Sequence, residues 1–255
     1  MVGLEEVIAQ QIAVYEANQR LLTREHRPGR GKLGPVAYGP YLLMSREKGS
    51  GGHTVAQLVG QCLGWPVFDS EIVDRIAERT QVRRQLIESL DEHARNIVED
   101  LVAPIFNRKD IGQAGYIRHL KQVVLALGHQ GDAIIIGRGA QFMLPPQFGL
   151  RVRLIAPFEV RAQRIAAAQH IPLEHAQQEI GQSDQKRAAF IHRNFKYDIN
   201  DPLHQDIIIN TSALECHQVA EIILGALQQK LDIEVEATGP HGMPVAASLS
   251  SDPGR

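Results

Sequence analysis

A glycine-rich turn carries the clearest chemical signal in the sequence. It covers residues 49–54, between an apolar segment at 41–45 that reads as a strand and a segment at 54–63 with helical periodicity. Glycines let several backbone N–H groups turn inward, and the N-terminus of the following helix adds partial positive charge. These features suit a polyphosphate; the alternative is a tight strand-to-helix turn with no ligand. The predicted phosphate-binding residues are Gly49, Ser50, Gly51, Gly52, His53 and Thr54.

The turn lacks one cation. In the P-loop pattern, G-x-x-x-x-G-K-[ST], the lysine reaches the β- and γ-phosphates of the nucleotide. Here Gly52 occupies the lysine position, and Arg46 occupies the position of the first glycine. Because phosphoryl transfer depends on positioning and charge neutralisation, a loop without any replacement cation would transfer poorly. Arg46, Lys48 and His53 are the candidates, and we predict the catalytic role for Lys48.

Three segments with residues that could bind a ligand follow three successive predicted strands. The glycine-rich turn follows the first strand, Asp69 ends the second, and Gly137-Arg138-Gly139 follows the third. Alternating strands and helices predict an α/β fold with a parallel sheet flanked by helices, where ligands bind beyond the carboxyl ends of the strands. The later predicted strands are 66–69, 132–137, 151–156 and a buried strand at 206–210. The predicted helices are 54–63, 70–79, most of 81–129 with a break at 107–115, 158–168, 173–195 and 214–229.

Each candidate side chain outside the turn has a functional and a structural interpretation. Asp69 could hold a magnesium-bound water or a substrate sugar, or it could cap the next helix. Arg138 follows a buried strand, where an arginine needs either a phosphate or a carboxylate partner. Arg187 and Arg193 lie on the polar segment 173–195, where a guanidinium could clamp a transferring phosphoryl group or belong to a solvated helix face.

With these motifs in view, the chain resembles the cytidylate kinase-like family of P-loop kinases over about residues 40–228. Ser45–Gly52 fits the S-R-x-x-G-S-G-G pattern of that family, so the missing lysine resembles a family trait. Ile136–Ala140 is similar to the start of the segment G-R-D-I-G-T-x-x-F-P. In that family the arginine and the aspartate of this segment contact the monophosphate substrate. Arg138 carries over, whereas Gly139 stands in place of the aspartate.

Three later segments extend the resemblance. Arg161–Arg164 is similar to the R-A-x-R of the family, and Ile209–Leu214 to I-D-T-S-x-L. Asp184–Arg187 matches the second half of the lid pattern R-D-x-x-D-x-x-R, whose first arginine is absent here. The common order and spacing of the segments carry the resemblance, rather than any one of them.

The resemblance implies a kinase that transfers the γ-phosphoryl group of ATP, with Mg²⁺, to a nucleoside monophosphate such as CMP or dCMP. It also implies a P-loop NTPase-type fold with a helical acceptor-binding insertion at 81–129 and a helical lid at 170–196. No metal site made by the protein itself is expected. The missing lysine and aspartate leave one alternative, a catalytically weak or inactive nucleotide-binding regulatory module. The expected substrate-binding residues are Asp69, Arg138 and Arg193, and the expected catalytic residues are Arg187, Asp184 and Lys48.

Composition and charge narrow the function classes. The 255 residues are 44% hydrophobic and carry a formal net charge of -2, so neither nucleic acid nor an anionic membrane is expected as a partner. The two cysteines cannot build a disulfide framework, and the first residues lack the apolar run of a signal peptide. No stretch approaches the roughly 18 apolar residues of a membrane span. We therefore expect a cytoplasmic protein.

Three regions are expected along the chain. Residues 39–230 form the predicted kinase-like domain. Residues 1–38 combine an amphipathic helix with a linker rich in Gly, Pro and Arg, and residues 231–255 form a predicted disordered tail. The apolar stripe of the N-terminal helix needs cover. Either a homo-oligomer or packing against the kinase-like domain would provide it.

Overall fold

A five-stranded parallel sheet forms the centre of the molecule. The computed structural model describes residues 38–103 and 113–233. The strand order is β2-β3-β1-β4-β5, and each neighbouring pair is parallel, which confirms the predicted α/β architecture. The strands are β1 (Tyr41–Arg46), β2 (Val67–Phe68), β3 (Ala133–Ile136), β4 (Gly149–Ile155) and β5 (Ile207–Asn210).

Helices connect the strands at the predicted places. Gly64 ends the first of them in a left-handed conformation, as expected for a glycine stop signal, with a φ angle of 66°. Pro157 is the N-cap of the helix that begins at Phe158. The helices are α1 (Gly52–Leu63), α2 (Ser70–Glu78), α3 (Thr80–Glu88), α4 (Glu92–Val102), α5 (Gln113–Gln130), α6 (Phe158–Gln169), α7 (Leu173–Phe195) and α8 (Cys216–Leu231).

The sheet is covered on both faces because its central strands are apolar on both. Leu42 and Met44 of β1 pack in one apolar cluster with α1 and α8. Leu43, between them, packs in the other cluster with α2, α4 and α5. This alternation follows from the two-residue period of a strand. Ile134 and Ile135 of β3 divide in the same way, which explains the unbroken apolar run there.

Two element predictions need correction. β5 was expected to be buried, but of its four residues the structure buries only Ile209, and Ile208 is 39% exposed. β5 is an edge strand of the sheet, and a short apolar run does not distinguish an edge from a central position. The predicted break between helices at 107–115 extends too far, because α5 already begins at Gln113.

Several expectations fall on residues outside the described ranges. The predicted helix and linker at 1–37, the self-association surface on that helix, and the tail beyond 233 all remain predictions. In the part of the chain that the structure describes, no helix is both long and apolar enough to cross a bilayer.

Candidate active site

The glycine-rich loop has the backbone shape of an anion cradle. Gly49 and Gly51 have φ angles of 84° and 82°, a left-handed conformation that glycine adopts without steric cost. α1 begins at Gly52, and its first intrahelical bond runs from Val55 N to Gly51 O. The N–H groups before Val55 therefore have no acceptor within the helix. They are available to an anion placed at the start of α1.

The Ser50 side chain belongs to the loop itself. Ser50 is buried, and its Oγ donates to Glu47 O at 2.8 Å. The Ser50 carbonyl accepts from Thr211 Oγ1 at 3.0 Å. The Ser50 N–H also donates to Glu47 O, at 3.3 Å, so the hydrogen-bonding groups of Ser50 shape the loop. The side chains of His53 and Thr54 are exposed on the first turn of α1.

Glu47 and Arg161 hold the loop against the end of β4. The Glu47 carboxylate accepts from Ala156 N at 3.1 Å and lies 3.3 Å from Arg161 Nε. Arg161 is almost fully buried, and its Nη1 donates to Lys48 O at 3.1 Å and to Asp184 Oδ2 at 2.7 Å. Glu47 is not predictable from the sequence, since one carboxylate in a loop has no recognisable pattern.

A second support joins two of the family-like segments. Arg164 Nη1 donates to Thr211 Oγ1 at 3.0 Å, and Nη2 donates to Thr211 O at 2.6 Å. Thr211 in turn donates to Ser50 O. The R-A-x-R and N-T-S segments, about fifty residues apart, therefore meet at the glycine-rich loop.

A cleft of about 230 Å³ opens at the carboxyl ends of β1 and β3. Residues 49–54 are not in its lining, and the glycine-rich loop adjoins it through Arg46, whose side chain packs on Gly52. The lid-like helix α7 forms its other wall. A neighbouring cavity of about 310 Å³ shares Arg46 and Arg187 with it, so these two side chains lie where the cavities meet. The chemically relevant residues that line the first cleft are Arg46, Ser70, Arg138, Ser183, Lys186 and Arg187.

The cleft carries excess positive charge. Burial lowers the pKa of Arg187, Asp184 partly opposes this, and the guanidinium groups of Arg138, Arg153 and Arg161 lower it further. Arg187 Nη1 lies 3.8 Å from Asp184 Oδ1 and donates to Arg46 O at 3.3 Å. An anion in the cleft would relieve this repulsion.

Arg138 has a carboxylate partner on α2. Its Nε donates to Asp74 Oδ1 at 2.8 Å, its Nη2 donates to Asp74 Oδ2, and Tyr116 donates to Asp74 Oδ1 at 2.7 Å. Burial acts to lower the pKa of Arg138, but the hydrogen bonds and charge of Asp74 outweigh it and the pKa is raised. The Arg138 guanidinium also lies 5.4 Å from the centroid of the Phe190 ring. Asp74 was missed because nothing in its sequence spacing relates it to Arg138.

The other predicted site residues lie in different surroundings. Asp69 caps α2, where its Oδ1 accepts from Glu71 N at 2.9 Å and from Ile72 N at 3.0 Å. Its charge still acts on Arg46 and Arg138, whose pKa values it raises. The structure therefore shows the capping interaction that was the structural alternative for Asp69, at the edge of the cleft.

Lys48 and Arg193 lie away from the cleft. The Lys48 ammonium pairs with Glu179 of α7, which ties the loop to the lid-like helix. Arg193 is exposed in the last turn of α7. Neither side chain lines the two cavities. The structure thus brings Arg138, Arg187 and Asp184 together near the loop.

Comparisons with known proteins agree with this architecture. Residues 43–213 match the sequence model of the Cytidylate kinase-like family. The chain is 38% identical over 190 residues to a cytidylate kinase of Sulfolobus acidocaldarius, a match that covers 74% of this chain and 94% of that protein. A cytidylate kinase of Pyrococcus horikoshii is 33% identical over 98 residues, which cover 38% of this chain and 50% of that protein.

One solved structure has the same fold. It is an uncharacterized protein from Eubacterium ventriosum, with a TM-score of 0.52 and 16% sequence identity, covering 74% of this chain and 98% of that one. At this identity the likeness concerns the fold alone. From the match over 43–213 and the relative at 38% identity, the chain belongs to the cytidylate kinase-like family.

Proposed function

We propose that the protein transfers the γ-phosphoryl group of ATP to a nucleoside monophosphate, with CMP or dCMP as the preferred acceptor. The observation that carries the proposal is the position of Arg138 and Arg187 in one cleft beside a glycine-rich loop. The two relatives named cytidylate kinase support the choice of acceptor. Gly139 stands where the family pattern has an aspartate, so the preference for CMP or dCMP needs a direct test.

The loop suits the triphosphate of the donor. Left-handed Gly49 and Gly51 and the unbonded N–H groups at the start of α1 fit phosphate oxygens. Mg²⁺ bound to the nucleotide would supply charge neutralisation for the phosphates. Within residues 38–103 and 113–233, no group of three or more His, Cys, Asp or Glu side chains is arranged to hold a metal ion.

The acceptor phosphate fits the other side of the cleft. Asp74 engages Nε and Nη2 of Arg138, so the N–H groups on Nη1 remain for a phosphate oxygen. Both capping bonds of Asp69 go to Oδ1, which leaves Oδ2 for a sugar hydroxyl or a magnesium-bound water. Arg193 would join the site when α7 closes over it.

In the proposed reaction an oxygen of the acceptor phosphate attacks the γ-phosphorus, and the bond to the β-bridging oxygen breaks, releasing ADP. Arg187 stabilises the charge that spreads over the transferring group. Asp184 holds Arg187 and also accepts from Arg161, so it couples α7 to the loop. Closure of α7 would exclude water, which otherwise would hydrolyse ATP.

A coupled assay of ADP release tests the proposal directly. Purified protein is assayed with ATP, Mg²⁺ and each of CMP, dCMP, UMP, AMP and GMP. We expect the highest kcat/KM with CMP or dCMP. No turnover with any acceptor, from protein whose folding is verified by circular dichroism, would overturn the proposal. If nucleotides then still raise the melting temperature, the regulatory-module alternative would be the better explanation.

A further inference from the structure

The side chain of Arg46 fills the space that a side chain at position 52 would need. A Cβ atom on Gly52 would lie 2.8 Å from Cγ and 2.9 Å from Cβ of Arg46. Non-bonded carbons prefer separations of about 3.5–4.0 Å, so the two positions cannot both carry side chains in this arrangement. The ordinary P-loop has glycine at the first of these positions and lysine at the second. This chain has the reverse order, with the long cationic side chain first.

The guanidinium of Arg46 reaches the carboxyl end of β3. A Cβ atom on Gly137 would lie 2.7 Å from Nη1 of Arg46, so the head group rests against the backbone there. Arg46 lines both cavities, as Arg187 does. Its head group is therefore placed between the glycine-rich loop and Arg138, where the donor and acceptor phosphates would meet.

Among the described residues, Asp69 compensates the charge of Arg46 only in part. Over the described ranges 38–103 and 113–233, its guanidinium forms no ion pair with a carboxylate. Burial lowers the pKa of Arg46 to about 10, the charges of Arg187 and Arg138 contribute to the decrease, and Asp69 opposes it. The group stays protonated at neutral pH, so a bound phosphate would supply the missing charge.

The other two cations named from the sequence are placed differently. Lys48 is paired with Glu179 on α7 and supplies a backbone carbonyl to Arg161. His53 is exposed on the first turn of α1, at the position where the P-loop pattern has its serine or threonine. Of the three, Arg46 is the one whose side chain points into the cleft.

We propose that Arg46 replaces the P-loop lysine, its guanidinium contacting the β- and γ-phosphate oxygens of ATP from the first-glycine position of the loop. The inference rests on the proposed kinase function and names the missing cation of that site. Arg46 neither gives nor accepts a proton; it stabilises negative charge on the transferring group through a planar pair of N–H donors. The glycine at position 52 follows as a steric consequence, since it makes room for the Arg46 side chain.

Substitution of Arg46 tests the contact. We expect Arg46→Ala to lower kcat by about 100-fold or more, the typical effect of removing one electrostatic donor from a transition state. Arg46→Lys should retain part of the activity, because the charge remains while the fork geometry is lost. Lys48→Ala should cost less than Arg46→Ala, and Arg75→Ala, on the exposed face of α2, serves as the control for loss of a surface arginine. A kcat within threefold of the wild type for Arg46→Ala would overturn the inference, as would a larger loss for Lys48→Ala.

An exchange of the two side chains gives an independent test. Gly52→Lys alone should destabilise the protein, because it meets Arg46. Arg46→Gly combined with Gly52→Lys restores the ordinary P-loop pattern, and we expect it to be at least roughly tenfold more active than Arg46→Gly alone, a fraction of the effect of one such cation. A folded double variant without such recovery would show that the two positions do not share a role. If the double variant does not fold, the Arg46→Ala comparison still decides.

A binding measurement separates this inference from the proposed function. Isothermal titration with a non-hydrolysable ATP analogue should give at least roughly tenfold weaker binding for Arg46→Ala than for wild type, as expected for loss of a charge-assisted contact. If wild type transfers no phosphate to any acceptor but shows this difference, the kinase proposal fails and the Arg46 contact stands. If wild type is active and the analogue binds both proteins equally, the Arg46 inference fails alone.

Discussion

Arg138, at the cleft, donates two hydrogen bonds to Asp74. Its Nε lies 2.8 Å from Asp74 Oδ1, and its Nη2 donates to Oδ2. Asp74 lies on α2 and Arg138 just after β3, so the pair joins two elements that are 64 residues apart in sequence. The Tyr116 hydroxyl adds a third hydrogen bond to the same carboxylate. We infer that Asp74 positions Arg138 for the acceptor phosphate rather than contacting the substrate itself.

The first prediction concerns Asp74→Asn. The neutral Asn side chain has one acceptor oxygen in place of the two carboxylate oxygens of Asp74. It cannot accept both hydrogen bonds from Arg138, so the guanidinium loses its fixed orientation. We expect KM for the acceptor to rise by about tenfold, which corresponds to the loss of one charge-assisted hydrogen bond. Because the transferring group is stabilised elsewhere, kcat should change much less. Steady-state kinetics with saturating ATP measure both quantities. A lower KM would instead show that Asp74 competes with the acceptor for Arg138.

A second prediction separates function from stability at Arg187. Because burial lowers the pKa of Arg187, the folded protein keeps its charge at a cost. Arg187→Met removes that charge and retains apolar bulk. We therefore expect a melting temperature equal to or above that of the wild type, together with a kcat lower by about 100-fold or more. A variant that is both less stable and fully active would contradict both parts.

The third prediction compares two left-handed glycines. Gly49 and Gly64 have φ angles of 84° and 66°, but a Cβ atom on Gly49 would lie 2.8 Å from Arg161 O, whereas on Gly64 it would meet nothing within 4 Å. Alanine at either position costs about 1–2 kcal/mol for the left-handed conformation. Gly49→Ala must also displace the loop. We expect Gly49→Ala to be the less stable variant and to lose stabilisation by ATP in thermal melts, while Gly64→Ala keeps it. Equal behaviour of the two variants would count against the cradle.

The fourth prediction concerns the support beneath the loop. Arg161→Met removes the buried guanidinium from the Glu47 and Asp184 carboxylates and from the Lys48 carbonyl. Glu47 then keeps the hydrogen bond from Ala156 N and Arg153 Nη2 at 3.9 Å. Removing one member of a buried ion pair costs about 3–5 kcal/mol, and the partial exposure of Glu47 places the expected loss near the lower end. Urea denaturation followed by circular dichroism measures it. Adding Glu47→Gln to Arg161→Met should cost little more, since the two groups act together; additive losses would show that they are independent.

The sequence predicts the architecture well because its signals are local. Alternation of apolar runs with helical periodicity places β1, β3 and β4, and Gly64 marks a helix end. The edge position of β5 is not predictable from its apolar run, because only the strand order determines which strands are central. Likewise, Arg138 is identified as needing a partner, but Asp74 is chosen by the packing of α2 against the cleft.

The residue that replaces the P-loop lysine is likewise not identifiable from the sequence. Residue types around the loop name three basic side chains, Arg46, Lys48 and His53, without ranking them by geometry. Lys48 and His53 directly flank the glycines, yet Lys48 pairs with Glu179 on α7 and His53 is exposed. The direction of the Arg46 side chain depends on the free space above Gly52 and Gly137. That space exists only once β1 and β3 pair in the folded sheet. Sequence proximity is a poor guide where backbone geometry sets side-chain direction.

A final prediction uses the pH dependence of stability at the sheet edge. Burial acts to raise the pKa of Asp206, but hydrogen bonds from Arg151 and Lys230 outweigh it, so the pKa lies below its usual value of 3.8. Asp206 accepts from Arg151 Nη2 at 2.7 Å and from Lys230 Nζ at 2.6 Å, which ties β4 to α8 across the start of β5. Because the folded pKa is depressed, this stabilisation is fully present above about pH 4 and is lost as the pH falls through the folded pKa.

Asp206→Asn should therefore lower the free energy of unfolding by about 1.5–3 kcal/mol at pH 7, the range for hydrogen bonds to a charged group. The difference from wild type should shrink below about pH 4, where the wild-type carboxylate also becomes neutral. Urea denaturation at pH 7, 5, 4 and 3 measures this, with Asp100→Asn on the exposed side of α4 as the matched control. The control should follow wild type throughout. A difference for Asp206→Asn that stays constant down to pH 3 would mean that packing or geometry, and not the ionised carboxylate, secures the edge of the sheet.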